Sequence, residues 1–236
     1  MSLTETISHA EVARNPYLDR TSIEFRFRAR RFAEIKRLIS AILDEKGHAE
    51  ILDLGGTETY WLAGGDFIKS NRHRLSITMV NPEEQSVDDR DLFTFEMGNA
   101  TDPELFGDRR FDLVHSNSVI EHVGQVEDMK RFAMNVRRLA PRYYVQTPNY
   151  WFPYEPHFRV PGFQYLPEFV RARLLTRFSL GFFDRIERLE EAQDIVTHHR
   201  LVSTRQMRRF FPGARVFHEK VFGLNKSIIA VRDSLA

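Results

Sequence analysis

The residues best suited to binding a ligand lie in the segment 49–57, where a short apolar run ends in an acidic residue and two glycines. The run has the composition of a buried strand, and Asp53 stands near its end. Gly55 and Gly56 follow at once, and a turn made of glycines lets the backbone come close to a bound molecule. The segment therefore predicts a strand that ends in a ligand-binding turn, which Thr57 continues.

Small polar residues also stand at the ends of the next three predicted strands. Asn81 ends the second, Gly98-Asn99-Ala100 follows the third, and Asn117-Ser118 follows the fourth. Ligands of open parallel sheets bind beyond the carboxyl ends of the strands. We therefore expect these residues to surround one site together with the turn after the first strand. Such a site is typical of a nucleoside-containing cofactor.

Two glutamate–histidine pairs are candidates for proton transfer. Glu121-His122 follows the fourth strand, and Glu155 and His157 lie in the aromatic segment 150–158. Either residue of the second pair would accept a proton from a substrate hydroxyl, with the aromatic segment as a wall of the substrate pocket. Alternatively, the first pair caps and packs the start of a helix or touches the cofactor, and the aromatic segment is a hydrophobic cluster under a long loop. The sequence does not decide between these interpretations.

Metal binding is not expected. The chain has no cysteine, and adjacent residues on a helix, such as His198 and His199, point apart. A run of basic residues in the first predicted helix is expected to form a solvated face, or alternatively a lid that attracts an anionic substrate. The run consists of Arg26, Arg28, Arg30, Arg31, Lys36 and Arg37.

Hydrophobic periodicity predicts alternating helices and strands. The helices are expected from about 22 to 46, between the first two strands, over 125–139, and from a capping box at Ser203-Thr-Arg-Gln206. The strands are expected at 49–54, 75–80, 93–97, 111–115, 142–146, 215–221 and 227–231. The last two form an antiparallel, hairpin-like pair.

This alternation indicates an α/β fold with right-handed crossovers. We predict a Rossmann-like, doubly wound, seven-stranded, mostly parallel sheet with an antiparallel C-terminal strand. One domain is expected over 1–236. Its parts are an N-terminal arm and helix (1–45), a cofactor-binding core (46–148), an aromatic substrate or lid insertion (149–200), and a closing helix and strands (201–236).

Composition excludes several classes of protein. A net charge of +1 gives no general attraction to nucleic acid or anionic membranes. No apolar run approaches the roughly 20 residues that span a bilayer, and the N-terminus has no apolar signal core. We expect a cytoplasmic protein whose partner is a small molecule; the sequence leaves its oligomeric state open.

The residues at the strand ends resemble those of the class I S-adenosylmethionine-dependent methyltransferases, in particular the small-molecule branch that includes ubiquinone-biosynthesis-like enzymes (methyltransferase type 11). The likeness covers about 45–150, and its most specific part is Ser116-Asn-Ser-Val-Ile-Glu-His-Val123. The family has further glycines where Thr57 and Thr59 stand, and an acidic residue where Asn81 stands.

The resemblance implies S-adenosylmethionine as the cofactor. Its contacts would be Asp53, Gly55, Gly56, Thr57, Asn81, Gly98, Asn99, Ala100, Asn117 and Ser118. We expect Asn81 to bind the ribose, where Asn81→Asp should hold or improve affinity, and Asn99 to bind the adenine amino group.

The expected function is methylation of a small molecule, and the expected target atom is oxygen. His157, Glu155 and His122 are the catalytic candidates. A catalytically silent module that binds the same cofactor is one alternative. A nicotinamide-dependent oxidoreductase is another, although its Gly-x-Gly-x-x-Gly pattern would need glycine at Thr57 and Tyr60.

Overall fold

The computed structural model describes residue 19 and residues 21–233, except for the side chains of residues 23 and 24. Apart from Asp19, the arm predicted over 1–20 lies outside the described residues. Among the described residues, no helix is both long enough and apolar enough to cross a membrane.

Seven strands form the central sheet. They are β1 (Ala49–Leu54), β2 (Leu75–Asn81), β3 (Phe93–Met97), β4 (Leu113–Asn117), β5 (Arg142–Pro148), β8 (Arg215–Val221) and β9 (Leu224–Arg232), and β6 (Tyr154–Glu155) and β7 (Val160–Pro161) form a separate ribbon. The strand order in the sheet is β3-β2-β1-β4-β5-β9-β8. The first five strands pair in parallel, and β9 runs antiparallel to both of its neighbours. The predicted fold class is confirmed.

Helices cover both faces of this sheet. They are α1 (Ile23–Lys46), α2 (Glu58–Trp61), α3 (Gly65–Asn71), α4 (Val126–Leu139), α5 (Glu168–Leu175), α6 (Leu189–Thr197) and α7 (Thr204–Phe210). The Ser22 hydroxyl caps the start of α1, and Gly47, in a left-handed conformation, ends it. Ser203 and Gln206 form the predicted capping box of α7.

The two faces hold separate hydrophobic clusters because successive strand residues point to opposite sides. Ile51 of β1 packs with Leu38 and Ile42 of α1 on one face. Leu52, the next residue, packs with Phe132 of α4 on the other face, together with residues of α7. Burial on both faces fixes the register of β1, and with it the position of the turn that follows.

The structure moves some predicted boundaries. β4 begins at Leu113 rather than at 111, because the Phe111 N–H donates to Leu139 O at the end of α4. β9 begins at Leu224 rather than at 227, because Phe222 and Gly223 both adopt positive φ and form a two-residue hairpin turn. The helix expected after β1 is broken between α2 and α3 by a 3₁₀ turn over Leu62–Gly64.

The insertion over 149–200 contains two helices, α5 and α6, that the sequence pattern did not predict. Their buried residues pack with Phe158 and Phe163 in a third cluster, whose other members are Ala172, Leu175, Ala192 and Val196. The alternative of a hydrophobic cluster under a long loop is therefore confirmed for Phe158. The helices were missed because both are short, and α5 also follows a segment rich in aromatic residues and proline.

Candidate functional site

The ends of β1, β2 and β3 are tied together by hydrogen bonds. The Gly55 N–H donates to Val80 O at 2.8 Å, and the Gly98 N–H donates to Asn81 O at 3.0 Å. The Asn81 side-chain amide donates to Gly56 O at 2.7 Å. The chain leaves β1 toward β2 and later returns to β4 on the opposite side of β1. Such a reversal of strand order is where open α/β sheets bind ligands.

Gly55 and Gly56 are required by the protein itself. Gly55 has φ of +72°, and a Cβ there would lie 2.4 Å from the Val119 side chain. A Cβ on Gly56 would lie 1.8 Å from the Asp53 carboxylate. From the sequence we predicted that these glycines let a ligand approach the backbone. The structure shows in addition that neighbouring side chains leave no space for a Cβ at either position. Gly55→Val would therefore disturb the local fold as well as a bound ligand.

Asp53 is completely buried, and its carboxylate contacts side chains of the protein interior next to the turn. One carboxylate oxygen accepts from Trp61 Nε1 at 2.8 Å, and the other lies 2.7 Å from His115 Nδ1. These contacts connect β1, α2 and β4. Direct contact of Asp53 with a cofactor stays a prediction, and the geometry favours a positioning role.

We expect Trp61→Phe to lower the free energy of unfolding by at least about 1–3 kcal/mol, because the buried Asp53 loses a donor. Urea denaturation measures this change. Trp151→Phe is the matched control, since Trp151 is 67% exposed and should cost little. Equal losses in the two variants would contradict the role of the indole N–H.

Asn81 and Asn99 use part of their hydrogen-bonding capacity within the protein. The Asn81 amide nitrogen donates to Gly56 O, which makes its oxygen the acceptor for an external hydroxyl. Asn99 Oδ1 accepts from the Thr101 N–H and hydroxyl, both at 2.9 Å. The amide nitrogen of Asn99 is then the group better placed for a ligand, so it would meet an adenine ring nitrogen rather than the amino group.

Asn117 and Ser118 end β4 with an unusual backbone. Ser118 has φ of +58°, a conformation that is uncommon for serine and that concentrates at functional sites. It is fixed by two hydrogen bonds to Gln146, from its N–H to the backbone oxygen at 2.9 Å and from its hydroxyl to Oε1 at 3.0 Å. Asn117 Oδ1 is buried and has no hydrogen-bond partner among the residues that the structure describes.

A pocket of about 550 Å³ begins at Ser118 and Gln146 and extends under the aromatic insertion. Phe152 and Tyr154 form part of its wall, as the substrate-wall interpretation predicts, together with Phe27 of α1 and Phe182. Trp151 is not part of the lining and packs near Tyr150 and Tyr165 at the surface. Of the predicted aromatic wall, Trp151 therefore does not reach this cavity.

Three histidines meet at the inner wall of this pocket. His122 and His157 both line it, and their ring centroids are 4.7 Å apart. The His199 ring lies 4.7 Å from that of His122 and 5.1 Å from that of His157. The prediction that His198 and His199 point apart holds, because His198 lies outside this group. No sequence motif connects His199 with His122, so only the fold reveals the cluster.

Two carboxylates support the histidines. Glu155 is buried and accepts from His157 Nδ1 at 2.8 Å and from the N–H groups of His157 and Phe158. Glu121 is completely buried; its Oε2 accepts from the Thr147 hydroxyl at 2.9 Å, and its Oε1 has no hydrogen-bond partner in the part of the chain that the structure describes. The structure thus joins both glutamate–histidine pairs into one cluster.

Burial shifts the pKa values of Glu121 and of the histidines in this cluster in opposite directions. It raises the pKa of Glu121 to about 7 and lowers the pKa values of His122 and His199 to about 4. Burial alone would also lower the pKa of His157, but the hydrogen bond to Glu155 and the negative charges of Glu155 and Glu121 together outweigh it and leave that pKa raised. His157 is therefore the strongest base among these three histidines.

Comparison with known proteins finds similar folds and only short sequence matches. No protein-family model matches the chain. The uncharacterized protein Rv1509 of Mycobacterium tuberculosis is 37% identical over 60 residues, which are 25% of this chain and 20% of that protein. The match thus spans about a fifth of the length of this relative.

Solved structures match over most of the chain at low identity. The N-terminal domain of EvdMO1, solved with SAH bound, is 14% identical and matches with a TM-score of 0.51 over 88% of this chain and 81% of that chain. An O-methyltransferase family protein from Burkholderia thailandensis is 16% identical and has a TM-score of 0.47 over 96% of this chain and 67% of that one. With the strand order β3-β2-β1-β4-β5-β9-β8, the first match shows that this chain has the fold of the class I S-adenosylmethionine-dependent methyltransferases.

Proposed function

We propose that this protein transfers the methyl group of S-adenosylmethionine to a hydroxyl group of a small molecule. The observation that carries the proposal is one continuous pocket. Ser118, at the end of β4, and His157, in the aromatic insertion, line the same cavity of about 550 Å³. A cofactor at the strand ends would then face an acceptor held beside a basic group.

The residues at the ends of β1 to β4 would hold the cofactor. The backbone of the turn at Gly55-Gly56-Thr57 would meet its methionine end, and the Asn81 amide oxygen would accept from a ribose hydroxyl. The Gly98-Asn99-Ala100 turn would contact the adenine. Asn117 and Ser118 would face the sulfonium side, where Ser118 opens into the pocket.

The charges around the pocket favour an anionic acceptor. Arg31, Arg159 and Lys226 line it, and none of the lining side chains that the structure describes is acidic. A small hydroxylated molecule with a carboxylate or phosphate group would match this excess of positive charge.

The chemistry requires alignment and one proton acceptor. The acceptor oxygen attacks the methyl carbon in line with the carbon–sulfur bond, that bond breaks, and S-adenosylhomocysteine leaves with the electron pair. The hydroxyl proton must depart as the new oxygen–carbon bond forms. His157, held by Glu155 and with its pKa raised, would take that proton at Nε2.

The test is a screen for turnover. Small hydroxylated carboxylates and phosphates would be incubated with the protein and S-adenosylmethionine, and release of S-adenosylhomocysteine would be measured. Methyl transfer to at least one anionic acceptor, detected by mass spectrometry of the product, supports the proposal. Tight binding of S-adenosylhomocysteine with no turnover on any acceptor would instead favour the silent binding module.

Substitution of Asn81 tests the ribose contact. Asn81→Leu should weaken S-adenosylhomocysteine binding by about 1–3 kcal/mol, because a ribose hydroxyl loses its acceptor. The structure reverses the expectation for Asn81→Asp: a carboxylate cannot donate to Gly56 O, 2.7 Å away, and would repel it. Asn81→Asp should therefore also bind more weakly, as measured by calorimetry.

Asn71→Leu is the matched control, since the Asn71 side chain donates to Phe67 O away from the site. Wild-type affinity in Asn81→Leu would show that the ribose is held elsewhere, for example by Glu83.

A further inference from the structure

The geometry points to a binding site for a divalent transition-metal ion at the inner end of the pocket, formed by Glu121, His122 and His157. One donor atom from each residue lies within 4.8 Å of the other two. The site goes beyond the proposed function, because methyl transfer from a sulfonium does not itself require a metal. Metal binding at this site depends only on these three residues.

The hydrogen bonds of the histidines leave the ligand nitrogens available. His122 Nδ1 lies 3.2 Å from His198 O, and a carbonyl oxygen only accepts, so Nδ1 carries the hydrogen. His157 Nδ1 is likewise paired with the Glu155 carboxylate at 2.8 Å. In the neutral form of each ring, Nε2 then carries the lone pair that a metal ion needs. A carboxylate behind a ligating histidine, as Glu155 is here, is the usual support of a metal ligand.

Glu121 supplies an independent observation. Its side chain is completely buried, yet Oε1 has no hydrogen-bond partner among the described residues. Buried polar atoms are nearly always paired, so an unpaired carboxylate oxygen needs an explanation. One carboxylate oxygen of Glu121 lies within 4.8 Å of a donor atom of each of the two histidines. A cation bound between them would satisfy it, and a proton on Glu121 is the competing explanation.

The donor set selects the kind of ion. Two imidazoles and one carboxylate suit zinc and its neighbours in the first transition row, whereas Mg²⁺ prefers oxygen ligands. Metal–ligand bonds in such sites are about 2.0–2.2 Å, so small side-chain rotations would bring the three donors to one ion. Three protein ligands leave a coordination position open, as in catalytic zinc sites. His122 and His157 line the pocket, so the open position would face the acceptor.

The consequence for methyl transfer rests on the proposed function. With an ion bound, His157 is a ligand and no longer the proton acceptor. The acceptor hydroxyl would occupy the open position, where the positive charge lowers its pKa and its proton leaves to water. The resulting oxyanion would attack the methyl carbon, and S-adenosylhomocysteine would leave as before.

Cobalt binding tests the site without any assay of activity. The protein, prepared without a polyhistidine tag and stripped with a chelator, would be titrated with Co²⁺ and followed by visible d–d absorption. We expect one equivalent to bind, Zn²⁺ to displace it, and Mg²⁺ to leave the spectrum unchanged. His122→Ala, His157→Ala and Glu121→Gln should each weaken binding by at least about 10- to 100-fold, the scale for loss of even a supporting residue.

His198→Ala and His218→Ala are the matched controls and should bind Co²⁺ as the wild type does. His198 pairs with Asp194 and His218 with Thr204, both outside the three-ligand group. Circular dichroism of each variant would confirm that it is folded, and Glu121→Gln, which preserves shape, guards against collapse of the cluster.

Absence of stoichiometric Co²⁺ binding, or wild-type binding by the three ligand variants, would overturn the site and leave the proton explanation for Glu121. The affinity for S-adenosylhomocysteine, measured on the same stripped protein, separates the two proposals. Cofactor binding without metal binding refutes the metal site alone, and metal binding without cofactor binding refutes the methyltransferase proposal alone.

Discussion

His157→Ala should reduce the rate of methyl transfer by about 100- to 10,000-fold, the range for loss of a positioned proton acceptor. The affinity for S-adenosylhomocysteine should stay nearly unchanged, because His157 lies on the acceptor side of the pocket and the residues at the ends of β1 to β3 are untouched. The measurement is single-turnover kinetics with an acceptor found by the screen, together with calorimetry of S-adenosylhomocysteine. A bound metal ion at this residue would give the same loss of rate.

His198→Ala is the control, since it removes a nearby imidazole that is about half exposed and pairs with Asp194. It should leave both the rate and the affinity unchanged. Normal turnover in His157→Ala would contradict the assignment of His157 as the proton acceptor.

Gly56→Ala should lower the free energy of unfolding by about 2–6 kcal/mol, the combined scale of overpacking a filled site and of breaking the hydrogen bonds of a buried polar group. The added Cβ would lie 1.8 Å from the Asp53 carboxylate. That carboxylate cannot move away without losing its contacts with Trp61 and His115. The loss is a large part of the roughly 5–15 kcal/mol that stabilises a typical domain. Urea denaturation measures it.

Gly213→Ala is the control for the glycine backbone. Gly213 has φ of +77°, and no atom lies within 4 Å of the added Cβ. The cost there should be about 1–2 kcal/mol, which is the strain of a left-handed alanine alone. A loss in Gly56→Ala no larger than in this control would show that the Asp53 network yields easily.

The fold could be predicted because its signals are local. The apolar run of β1 ends at glycines, and α4 repeats its apolar residues at helical spacing, so both elements were expected where they occur. The start of β9 was predicted three residues too late, because it depends on the backbone conformation of Phe222 and Gly223. The helices α5 and α6 depend on a small cluster of their own, which has no clear period in the sequence.

The site could be predicted only in part. The turn after β1 and the end of β4 were expected together, since parallel strands deliver their carboxyl ends to one edge of the sheet. The meeting of His122, His157 and His199 depends on how the insertion folds back over β4, which no spacing encodes. The internal roles of Asp53 and Gly55 depend on contacts with His115 and Val119, and these also appear only in three dimensions.

The most direct test of the account is a calorimetric titration of the wild-type protein with S-adenosylhomocysteine and, separately, with reduced nicotinamide adenine dinucleotide. The fold and the strand ends predict saturable, one-to-one binding of S-adenosylhomocysteine and no binding of the nicotinamide cofactor. Binding of the nicotinamide cofactor, or failure of S-adenosylhomocysteine to bind to the folded protein, would contradict the assignment of this site.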